Sequence, residues 1–137
     1  MHLPRTVAAA LVVVLALPAV SAGHHSFFAQ FDPEQPVTLS GTVSRLEWRN
    51  PHIWVFLDVT GEDGTVTTWQ CEGGAPNALT RRGWNRSTLA IGGELTIFGY
   101  KHRAEDAVCN TREWTYEGRT VFAGSADDGG PSDQPTP

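Results

Sequence analysis

"PVTLSGTVSRLEW", residues 36–48, decides the fold. Small or apolar residues alternate at Val37, Leu39, Gly41 and Val43, and the pattern then slips by one, so that Leu46 and Trp48 take the apolar role. Successive side chains of a strand face opposite sides, so a slip inside one long strand predicts a bulge or sharp bend at Ser44 and Arg45.

Toward the C-terminus the turn signal Asn50-Pro51 is followed by "HIWVFLDV", residues 52–59. Ile53, Val55, Leu57 and Val59 form one face, and His52, Trp54, Phe56 and Asp58 the other. "GEDG", residues 61–64, reads as a hairpin loop, and "TVTTWQCE" as the return strand. One helical candidate follows, "APNALTRRGW", with Pro76 suited to a first turn and Gly83 to a stop. "ELTIFGY" then alternates again, Leu95, Ile97 and Gly99 against Thr96, Phe98 and Tyr100. A strand over residues 108–116 turns at "EGR" into a short "TVFA". Three strands with the first one long and bent, a short helix, then two strands and a stub predict an all-β, small OB-like five-stranded barrel with one short helix between strands 3 and 4. An open β-sandwich is the alternative, with fewer connections of suitable length.

The ends divide the chain of 137 residues. Residues 1–22 read as a signal peptide: a basic start, an apolar run to Pro18, and the small residues "AVSA" before a cut. The run is shorter than the ~20 residues a spanning helix prefers, so no transmembrane segment is expected after cleavage. The expected location is the periplasm, or outside the cell. Residues 23–36 form a His- and Phe-rich arm, 37–123 the barrel domain, and 124–137, "GSADDGGPSDQPTP", a disordered acidic tail. Loss of Arg5 with the leader leaves nine Lys and Arg against 15 Asp and Glu, a formal charge of −6 that argues against nucleic acid as a partner.

Cys71 and Cys109 leave two readings open. An oxidising compartment favours a disulfide. Third and fifth strands lying side by side would instead put the two residues at opposite ends, ~17–20 Å apart, against the ~4.4–6.8 Å between Cα atoms that a disulfide tolerates.

Four blocks, "HHSFFAQFD", "GTVSRLEWRNPHIWVFLDV", "GAPNALTRRGW" and "GRTVFAGS", in this order and spacing, resemble a family of small exported proteobacterial proteins known as domain of unknown function 6152. The resemblance covers nearly the whole mature chain and implies an exported β-rich domain without an assigned activity. Family members often carry alanine directly before the histidine pair. This chain has Gly23, which moves the expected cut.

The cut determines the chemistry of "GHHSFF". After Ala22 it leaves Gly-His-His, in which the Gly23 amine, two backbone amides and the His25 imidazole make the square of four nitrogens that Cu(II) and Ni(II) favour. After Gly23 it leaves His24 first, whose amine and ring chelate together, with a second imidazole from His25, His52 or His102. The candidate metal ligands are therefore His24, His25 and His52, with Gly23 or His24 supplying the amine. The competing reading has the histidines solvated while Phe27, Phe28 and Phe31 clamp the arm onto the barrel. Glu72 and Asp58 are candidate carboxylate partners and otherwise ordinary solvated acids; His102 reads as loop surface.

A second candidate is an aromatic face, Trp54, Phe56, Phe98 and Tyr100, able to stack a small ligand or an envelope protein, or else to be covered by the arm or the helix. "RRGWNR" sets Arg81, Arg82 and Arg86 around Trp84, a candidate grip for a carboxylate, a phosphate or an anionic glycan against the plainer reading of a solvated helix end. The chain contains no GxSxG, HExxH, CxxC or phosphate-binding glycine loop, so no catalytic residue is expected. The sequence thus predicts an exported binding module with copper as its candidate cofactor; an interaction barrel and a structural envelope protein are the alternatives.

Overall fold

The computed structural model describes residues 27–131. A four-residue helix α1 (Phe27–Gln30) leads into β1 (Phe31–Glu47), then β2 (Trp54–Thr60), β3 (Val66–Glu72), α2 (Pro76–Arg81), β4 (Glu94–His102), β5 (Val108–Tyr116) and β6 (Arg119–Phe122). The sheet order is β3-β2-β1-β4-β5-β6, and an added β3–β5 pairing closes the ring. The strand pairs are antiparallel except for that closing one, which is parallel. This is the small OB-like barrel that the alternation predicts, with β6 as the stub.

β1 bends where the phase slips. Its register against β2 runs Val43↔Leu57 and then Arg45↔Phe56, which leaves Ser44 as the bulge. Before the bend, a Cβ at Gly41 would overlap the carbonyl of Asp58, so glycine is what lets β1 approach β2 this closely. β1 also starts earlier than the predicted domain limit at Val37: Phe31 already pairs with His102.

α2 has Pro76 at its start and ends in a Schellman motif. The amide of Gly83, at φ +84°, donates to Thr80 O at 3.0 Å, and that of Trp84 to Leu79 O at 3.0 Å. This turn drives the Trp84 ring into the barrel, where it meets Trp114 with ring centroids 5.1 Å apart.

Two apolar clusters result. The larger fills the barrel with Leu39, Val43, Ile53, Val55, Leu57, Ile97 and their neighbours, the aliphatic rows read from the sequence. The smaller lies outside it: Phe27, Phe31, Tyr100 and Val108, with Trp54 and Phe98 packed against them.

The cysteines do pair. The expected strand-length separation is corrected by the register: β3 and β5 overlap only where one ends and the other begins, so Cys71 sits directly opposite Cys109, with Cα atoms 4.6 Å apart. The bond therefore staples the seam that closes the barrel.

The chain after β6 also differs from the expected tail. Residues 124–131 lie against the barrel, held by Asp128, whose carboxylate binds the buried Arg112 of β5. Among the described residues no helix is long and apolar enough to cross a membrane.

Candidate functional site

The start of β2 and the end of β3 build the site. Trp54 lies opposite Glu72 in the ladder, and two flanking bonds, Ile53 N to Gly74 O at 3.1 Å and Gly73 N to Ile53 O at 2.9 Å, extend the pairing beyond the strands. That framework brings Nδ1 of His52 onto Oε1 of Glu72. The pair is mostly enclosed, with 22% of the His52 side chain and 12% of the Glu72 side chain exposed. The bond to Glu72 raises the His52 pKa above its ordinary value; partial burial opposes this, and the charges of Glu72 and Asp128 add to it. With Nδ1 committed to a carboxylate, Nε2 has no hydrogen-bond partner among the described residues. A carboxylate on one imidazole nitrogen orients the ring and strengthens the other as a donor, the arrangement by which proteins support metal-binding histidines.

In front of this pair lies a cavity of about 310 Å³, walled by Gln30, Phe31, His52, Trp54, Glu72 and His102. A much smaller one, about 10 Å³, lies among Phe27, His52, Glu72, Asn110 and Asp128.

The arm is docked at the edge of these cavities. The Phe27 amide donates to Asp128 O at 2.9 Å, and its buried ring packs edge-on to Tyr100 with centroids 5.5 Å apart. Phe31 is buried and meets the His102 ring edge-on at 5.4 Å. The Arg103 amide donates to Gln30 O at 2.8 Å and its Nε to Phe28 O at 3.1 Å, which ties the helix to the β4–β5 loop.

The predicted site residues therefore have different fates. His52 and Glu72 come together. Asp58 lies farther along β2, where it accepts bonds from Ser44 and Thr68. His102 lines the cavity at the end of β4, with 15% of its side chain exposed, rather than sitting on open loop surface. Its Nδ1 accepts from the amides of Ala104 and Glu105 at 3.2 and 3.0 Å, so the proton resides on Nε2 and neither nitrogen offers a lone pair to a metal. Gly23, His24 and His25 lie outside the described residues. Among the described residues no group of three or more His, Cys, Asp or Glu is arranged to hold a metal ion.

The aromatic face is largely covered. Tyr100 lies beneath Phe27 and keeps 4% of its surface exposed. Phe56 is capped by the Arg45 guanidinium, 3.5 Å from its ring centroid. Phe98 packs partly buried against the outer cluster. Of the four, Trp54 alone walls the large cavity.

Sequence reasoning missed Asp128 and Arg112. A signal was present: Arg112 is a lone basic residue within a strand, and "DD" at residues 127–128 supplies two adjacent acids shortly after it.

Residues 10–119 match the model of DUF6152, a family of unknown function. No curated protein and no solved structure matches the chain.

Proposed function

The chain belongs to the DUF6152 family, and on that premise we propose that it is an exported, periplasmic module that captures Cu(II) at its processed N-terminus, with His52 as an additional ligand. The observation that carries this reading is the docking of Phe27 on Asp128, beside the cavity that Phe27 and Asp128 share with His52 and Glu72. His25 and His24 precede Phe27 by two and three residues, and a chain spans at most ~3.3–3.6 Å per residue. On this reading their imidazoles, and the amine that cleavage exposes, would be the donors that join His52.

Nitrogen donors of this kind suit Cu(II) and Ni(II). No sulfur is left to favour Cu(I): both cysteines are in the disulfide, and the single methionine is Met1, in the expected leader. After a cut behind Ala22, the Gly23 amine, two backbone amides and the His25 imidazole would hold the ion, with His52 as an additional ligand. A cut after Gly23 makes a His24 chelate, completed by His52.

The alternative, an aromatic platform on Trp54, Phe56, Phe98 and Tyr100 for a small ligand or an envelope protein, is weakened by the cover that Phe27 and Arg45 provide.

Intact mass of the exported protein fixes the cut. Cu(II) titration should then compare the native terminus with one whose α-amine is acetylated. The proposal expects one tight site that weakens at least about tenfold on acetylation, ~1.4 kcal/mol. Equal affinities overturn it.

A further inference from the structure

We propose that Arg82 of the "RRGWNR" segment helps to form a second site: a pocket of about 240 Å³ that takes a single carboxylate between Arg82 and Arg112. Its walls are Arg82, Arg112, Glu113, Phe122, Ser125 and Gly130.

Two guanidinium groups wall this pocket, that of the buried Arg112 and that of the half-buried Arg82, and each has a buried donor left over. Arg112, 3% exposed, spends Nη2 on Asp128 and Nη1 on Ser125 O at 3.0 Å, but its Nε has no partner. Arg82 stacks on the Phe122 ring at 5.0 Å, and its Nη1 is buried without a partner. A buried donor without an acceptor is destabilising, because it has given up water and gained nothing in return. Two of them at one pocket are met together by a group with two acceptor oxygens, and guanidinium and carboxylate match in shape.

Charge sets the class of ligand. Arg119 donates to the Arg82 carbonyl at 3.0 Å and so belongs to the same cluster. Arg82, Arg112 and Arg119 against Glu113 and Asp128 leave one positive charge, which balances a carboxylate and not a phosphate dianion. The Phe122 ring offers a flat apolar wall for the body of the ligand. Gly130 packs directly on this wall, where a Cβ would overlap Arg112 Nη2 and the Phe27 ring.

The test is an NMR titration of the full mature chain, following the arginine Nε–H signals. The probes are benzoate, its uncharged relative benzamide, and inorganic phosphate. Benzoate is expected to shift the Arg82 and Arg112 signals saturably, with benzamide and phosphate at least about tenfold weaker, and Arg82→Gln should weaken benzoate by a similar factor. A short peptide with a free C-terminus, set against its amide, separates the sources: a peptide acid stronger than benzoate assigns the site to chain termini, and a weaker one to small organic acids. Benzoate that leaves both arginine signals in place, or that binds no better than benzamide or phosphate, overturns the proposal. The probe comparison in the unaltered chain decides this even if Arg82→Gln fails to fold.

Discussion

Both carboxylate oxygens of Asp128 accept from Nη2 of Arg112, at 2.8 and 2.9 Å, with 3% of the arginine side chain and 8% of the aspartate side chain exposed. The same aspartate's carbonyl holds the Phe27 amide, so one residue fastens the last described segment to β5 and the N-terminal arm to both. Removing one partner of a buried pair strands a charge and costs about 3–5 kcal/mol. Asp128→Ala should therefore lower the unfolding free energy by that amount in denaturant titrations. A loss below about 1 kcal/mol would show that the pair is not held as described.

The seam between β3 and β5 gives a second prediction. The Cys71–Cys109 bond closes a loop of 38 residues, worth about 4 kcal/mol in the chain-entropy treatment. Replacing both cysteines by alanine should cost about 2–4 kcal/mol and speed amide exchange first at residues 70–72 and 108–110, where the two strands meet. Unchanged exchange there would contradict the closing role.

Much of this barrel was legible. The phase slip located the Ser44 bulge, the strand read over residues 108–116 up to the turn at "EGR" is β5, and Pro76 with Gly83 framed α2, because each signal is local. The cysteine register was not legible: β3 and β5 are distant in sequence, and their overlap depends on loops that no periodicity reports. α1 escaped notice for a similar reason. Four residues carry no helical period, and this turn is held by Asp128 and Arg103, far along the chain. At the candidate site, alternation placed His52 on the Trp54 face, but the bond to Glu72 needs the β2–β3 register, and the position of the arm needs the Asp128 clasp.

The His52–Glu72 pair makes the copper-free protein pH-sensitive. A histidine pKa raised in the folded state means that the pair stabilises fully below the unfolded value of about 6.5, and that this contribution fades as pH rises through the folded value. The stability gap between the native chain and Glu72→Gln should be larger near pH 6 than near pH 9, as read by chemical unfolding at both. A gap that is flat or grows with pH would contradict the pairing.

Phe27 anchors the arm from inside the outer cluster, with its ring against Tyr100 and Phe31. Phe27→Ala should cost about 3–5 kcal/mol, the usual loss for emptying a buried aromatic position. It should also release the arm, read as faster exchange of the Arg103 amide that donates to Gln30. Protection of that amide at the native level would show that the arm is held by other means.

The central claim is that the liberated terminus and His52 share one copper ion. Pulsed EPR of the Cu(II)-loaded mature chain, native against His52→Ala, reads the coordinated imidazoles directly. A nitrogen-rich centre that loses one imidazole's modulation in the variant is the predicted result. Identical spectra from the two proteins, or a centre bound through oxygen alone, would contradict it.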